Sequence, residues 1–116
     1  MRYTSDARCR ACGEVSMHRL PSDYGGQPAG PIDQSAYEPT PFDKRVDAVR
    51  VLTGRVDPKM TSDVSRRTQE ELDQDVYDNA PYYGRWLLGL RKTLVERGHL
   101  TEEEIAARIA EIRARG

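Results

Sequence analysis

The placement of hydrophobic residues limits most strongly what this chain can fold into. Of its 21 Leu, Ile, Val and Phe residues, 18 fall in residues 42–116, and residues 1–41 hold only Val15, Leu20 and Ile32. That first segment also carries five of the seven prolines and four of the nine glycines. Such a stretch cannot offset the entropy of ordering its backbone by burying apolar surface. The division predicts an extended, irregular arm over residues 1–39, ordered by lying on a partner, and a small helical domain over residues 40–116. A chain of 116 residues has room for one small domain, not for a multidomain enzyme. Its 18 basic and 19 acidic residues leave a net charge of −1. It therefore lacks the one-signed field that a general nucleic-acid or membrane-surface binder needs. No apolar run approaches the ~18 residues of a membrane span and no signal peptide opens the chain. The expectation is a soluble, cytoplasmic protein with neither nucleic acid nor membrane as partner.

The second segment reads as about four helices. Thr40-Pro41-Phe42-Asp43 is a helix start, with a hydroxyl cap, Pro at the first helical position and an acid in the first turn. Phe42, Val46, Val49 and Leu52 then recur on one helical face, and Gly54 is expected to end the element. A second helix runs from Thr61 to about Leu72. Its apolar face is poor, Val64 and Leu72 with Thr68 between them. The third begins near Asn79-Ala80-Pro81 and reaches Arg97, with Gly98 as its stop and Tyr83, Trp86, Leu87, Leu90 and Leu94 as its stripe. The fourth opens on a capping box, Thr101 with Glu104, and shows Ile105, Ile109 and Ile112 on one side. A link of about three residues, Gly98 to Leu100, predicts that the last two helices form an antiparallel hairpin. No segment alternates with period two, so the fold class is all-α.

Residues able to carry chemistry are few. Cys9 and Cys12 form a C-x2-C pair followed by His18, which offers three corners of a zinc tetrahedron; only Asp6 and Asp23 stand near enough in sequence to be a fourth. The alternative is two ordinary thiols in an irregular arm. His99 falls in the turn between the last two helices, where a polar residue beside a terminal Gly is ordinary. Nothing in the chain matches a phosphate-cradling glycine loop or a nucleophile elbow. Arg66 and Arg67 are adjacent, and helical spacing pairs Arg66 with Glu70 and Arg67 with Glu71 or Asp63 as a solvated face. A guanidinium fork is also the side chain best suited to a planar oxyanion. Tyr82, Tyr83, Arg85 and Trp86 gather polar-tipped aromatics in the first turns of the third helix, a composition common in cores and at interfaces.

Several blocks in one order resemble a known family. Ala80-Pro-Tyr-Tyr-Gly-Arg-Trp-Leu-Leu88 and Leu94-Val-Glu-Arg-Gly-His-Leu-Thr-Glu-Glu-Glu104 are similar to the N-terminal half of nitrile hydratase beta subunits. So are Asp23-Tyr-Gly-Gly26, Gly30-Pro-Ile32 and Glu38-Pro39 in the arm. The Tyr-Tyr-Gly-Arg-Trp-Leu-Leu spelling resembles the three-subunit branch, which includes thiocyanate hydrolase and toyocamycin nitrile hydratase. The resemblance implies one subunit of a non-corrin Co(III) enzyme (or an iron one), a lyase hydrating a nitrile to an amide and inactive as this chain alone. It implies that the metal sits in a cysteine claw of an alpha-type partner and not in this chain. It further implies a separate small β-barrel subunit. Arg66, with Arg67 its neighbour, falls where the family's beta subunit holds the oxygens of the partner's oxidised cysteines; Tyr82 and Trp86 fall on positions bordering the substrate pocket. The leading expectation is a three-subunit cobalt nitrile hydratase, with a nucleoside nitrile such as toyocamycin as a candidate substrate. The alternatives are the beta subunit of thiocyanate hydrolase, or a non-catalytic cobalt-insertion activator or adaptor.

Overall fold

The computed structural model describes residues 19–116, so the Cys9–Cys12–His18 group lies outside the described residues. Five helices follow one another: α1 Pro41–Val56, α2 Ser62–Glu70, α3 Gln74–Asn79, α4 Tyr82–Glu96 and α5 Glu102–Ala114. There is no strand among the described residues. Residues 19–40 carry no helix; they turn at Leu20–Asp23 and again at Tyr24–Gln27, then run exposed to the start of α1.

The helix starts are built locally. Thr40 and Asp43 satisfy each other's amides as a capping box, with Pro41 in the first turn. The Tyr37 hydroxyl donates to the same Asp43 carboxylate, which lowers the Asp43 pKa and pushes the Tyr37 phenol up to about 12. Thr61 caps α2, and Thr101 with Glu104 closes the box on α5. One boundary and one element differ from expectation. Gly54 does not end α1, which continues to Val56 and is capped by the extended residue Asp57. The next residue is Pro58, which disfavours helical backbone at Asp57 and so sets the true stop. The short α3 had no counterpart among the four expected segments; it has six residues and no side-chain cap. It is held from outside, by the Tyr24 hydroxyl on Asp78 at 2.8 Å and by the Arg85 guanidinium stacked 4.2 Å from the Tyr77 ring centroid.

α4 is the central element, with α2 and then α1 packed against it. Its contact with α2 is close because Gly89 has no side chain; a Cβ there would stand 3.0 Å from both Thr68 Oγ1 and Gln69 Cγ. Thr68, the weak point of α2's apolar face, is the most deeply buried residue, at 0% exposure. Its hydroxyl donates to the Val64 and Ser65 carbonyls, and Thr93 beside it donates to Gly89 O at 2.9 Å. A threonine can fill that space because its own helix satisfies its hydroxyl. Val46 and Leu90 complete a small core.

The last two helices make the expected short connection, in which Gly98 has φ +72° and His99 N–H caps Leu94 O. Their packing is looser than the hairpin expectation implied. α4 spends its most apolar side on α1 and α2, and it meets α5 through the Arg91–Glu102 ion pair. Ile109 and Ile112 stay 38% and 56% exposed. What fixes the turn is Asp57 at the end of α1. It accepts from Arg97 Nε, His99 Nε2 (2.8 Å) and Lys59 N (3.0 Å). Arg97 first, then His99, holds its carboxyl far below the ordinary carboxylate range.

Two consequences are measurable. Gly89→Val should destabilise the chain by roughly 1–3 kcal/mol in denaturant titration, because α2 must move off α4 to admit the side chain. Asp57 has its pKa lowered by folding, so its bonds stabilise fully above its ordinary pKa and are lost as pH falls toward the folded value. Asp57→Asn should therefore melt earlier than the parent near pH 7, with the gap narrowing below about pH 4. A gap that stays constant with pH would deny the carboxylate that role.

Candidate functional site

The neighbouring arginines of α2 have opposite surroundings. Arg67 turns toward α4: Nη2 donates to Glu96 Oε2 at 2.6 Å and Nη1 to Glu71 Oε1 at 2.9 Å. Lys92 also reaches Glu71, at 2.5 Å. Glu96 first, then Glu71, raises the Arg67 pKa, and Lys92 with Arg67 lowers that of Glu71. This is a four-residue clasp between α2 and α4, and its donors are largely spent. Arg66 points outward. Its nearest carboxylate among the described residues is Asp63 at 3.9 Å, not Glu70, and its side chain is 75% exposed. At that distance the attraction is weak and leaves the fork open. Helical spacing alone does not separate the two, because Glu96 lies 29 positions away from Arg67.

The aromatic group forms as one cluster at the start of α4. Tyr82, Tyr83 and Trp86 have ring centroids 5.2–5.5 Å apart, with Tyr82 and Tyr83 edge to face. Gly84 lies among them because a Cβ there would stand 2.9 Å from the Pro81 ring that begins the helix. Tyr82 is 60% exposed, and Trp86 is half-buried. Tyr82 and Trp86, the two expected pocket residues, are therefore adjacent. No hydrogen bond, ion pair or stack joins Arg66 to either of them among the described residues.

A residue not singled out from the sequence makes the connection. Arg50, on α1, places its guanidinium carbon over the Trp86 ring, 5.3 Å from the centroid, and Nε donates to Ser65 Oγ at 3.3 Å. The signal was present: position 50 is four residues after the buried Val46, so it shares α1's inward face. His99 likewise does more than fill a turn, being bonded to Asp57. Nowhere among the described residues do three His, Cys, Asp or Glu side chains converge as a metal would require. What these elements offer chemically is an open guanidinium and an aromatic wall, both on the surface.

Many large apolar side chains are also exposed, among them Val49, Leu52 and Val56 on α1 and Ile112 on α5. Single exposed hydrophobes are normal, but such a number in one small domain marks surfaces made to be covered. No helix among the described residues is long and apolar enough to cross a membrane.

Residues 17–116 match the family described as nitrile hydratase beta subunit, N-terminal. Over 99 residues the chain is 34% identical to thiocyanate hydrolase subunit beta of Thiobacillus thioparus, covering 84% of this chain and 62% of that relative. It superposes with a TM-score of 0.74 and 33% identity on a chain of the recombinant apo-enzyme of thiocyanate hydrolase from Thiobacillus thioparus, over 84% of this chain and 62% of that one. The chain thus spans less than two thirds of the length of these relatives.

The different surroundings of the two arginines predict different stabilities. Arg67→Met should lower the melting temperature by a few degrees, about 2–5 °C, with a smaller loss in high salt. Arg66→Met should leave it unchanged. Equal effects would show that the clasp does not hold α2 in solution.

Proposed function

The chain belongs to the nitrile hydratase beta-subunit family, and on that footing we propose that it is the small helical subunit of a hetero-oligomeric enzyme acting on a carbon–nitrogen triple bond. In this reading a partner of alpha type carries a Co(III) ion in its cysteine claw, and a further small β-barrel subunit completes the assembly. Arg66 donates to the oxygens of the partner's oxidised cysteines, while Tyr82 and Trp86 border the substrate pocket. Bound in the partner, the metal would supply Lewis-acid activation of the C≡N group. This chain's task is positional: a permanently charged fork presents several N–H donors at fixed geometry to the oxygens of the oxidised cysteines, which a lysine point charge does not. The carrying observation is that Arg67 is consumed within the chain while the fork of Arg66 stands open.

Thiocyanate comes first as substrate, because the relative at 34% identity is a thiocyanate hydrolase subunit. Hydration of a nitrile, including a nucleoside nitrile such as toyocamycin, is the second reading and rests on the family match. Exposed apolar residues on α1 and α5 favour a lasting assembly over the passing contact of a cobalt-insertion activator.

Arg66→Lys, co-expressed with the partner subunits, should leave assembly and metal content intact. Turnover should fall by about 10–100-fold, the usual cost of losing a group that orients metal ligands. Unchanged turnover would remove the role from Arg66.

A further inference from the structure

We infer that Arg50 is the positioning residue for Trp86, and that it ties this aromatic wall to the turn of α2 that carries Arg66. The inference rests on the proposed function for the meaning of the wall, but not for the clasp itself. Arg50 is half-buried and no carboxylate pairs with it among the described residues. Its partners are instead an indole face and two hydroxyls. The guanidinium carbon lies 5.3 Å from the Trp86 ring centroid; Nε donates to Ser65 Oγ at 3.3 Å and Nη2 approaches Ser62 Oγ at 3.5 Å. One side chain from α1 thus engages α2 and α4 together.

The residue type follows from those contacts. A flat guanidinium stacks on an aromatic face while its edge N–H groups still donate in the plane. Lysine could stay above the indole, but a tetrahedral ammonium could not also present an edge to the two serines. Trp86 meets Tyr82 and Tyr83 through tilted ring contacts, which allow several indole orientations. The cation–π contact with Arg50 selects among them. Ser65 immediately precedes Arg66, so the same hydrogen bond restrains the backbone from which the open guanidinium projects.

Trp86 is the chain's one tryptophan, which makes its fluorescence a direct report on this contact. The experiment compares the full chain with Arg50→Met and Arg50→Lys, each checked for helix content by circular dichroism. It then measures thiocyanate and nitrile kinetics of the corresponding assemblies. With helicity retained, Arg50→Met should shift the emission and increase quenching by acrylamide, and Arg50→Lys should fall between Met and the parent. In the assembly Arg50→Met should raise KM about fivefold with a smaller effect on kcat, as expected when a bound aromatic wall loses its preferred orientation. Unaltered emission and quenching in both variants would overturn the inference whatever the activity. Altered emission with unchanged KM in an active assembly would overturn it as well. A parent assembly with no turnover on either substrate would instead refute the proposed function, leaving the fluorescence result to judge the clasp.

Discussion

The close approach of α2 to α4 at Gly89 is the contact on which the other arrangements depend. Only a residue without a side chain lets Thr68 enter, and only an internally bonded hydroxyl makes that burial tolerable. Once α2 lies there, Arg67 is within reach of Glu96 and Arg66, one position back, is turned away from α4. The first turn of α2 is brought beside Arg50 at the same time. A core of Val46, Leu90 and two buried threonines is small, so these polar clasps at its edge do much to define the arrangement.

Features encoded locally were legible in the sequence. The caps at Thr40, Thr61 and Thr101 were readable because each bond spans three residues. Tyr82 and Trp86 stand about one helical turn apart, and their ring centroids meet at 5.5 Å. The end of α1 was not legible from Gly54, which sits within the helix; the stop comes where Pro58 disfavours helical backbone at Asp57. α3 escaped notice because six residues show no period; its order comes from Tyr24, 54 positions from Asp78, and from Arg85 on α4. The distinction between Arg66 and Arg67 was equally beyond local pattern, since it depends on a glutamate at the far end of another helix. Arg50 could have been found by asking what partner an arginine on an inward face must have.

The uneven spread of hydrophobic residues has a counterpart in the fold. Residues 27–40 run exposed, Ile32 keeps 85% of its surface uncovered, and Val56 at the end of α1 keeps 80%. α5 carries three isoleucines that α4 does not cover fully, because α4's apolar side is already occupied by α1 and α2. The proposed place in a hetero-oligomer would cover this surface with other chains. On the proposed reading, the open guanidinium of Arg66 and the aromatic wall of Tyr82 and Trp86 would complete chemistry held by a partner chain.

Purification of the tagged chain from its native source tests the central claim most directly, with intact-mass identification of whatever accompanies it and quantification of cobalt. The account predicts a stoichiometric complex containing a chain with a cysteine claw, a small barrel chain and near-equimolar cobalt. A chain recovered alone, or with only sub-stoichiometric partners and no cobalt, would contradict it and remove the roles given to Arg66, Tyr82 and Trp86.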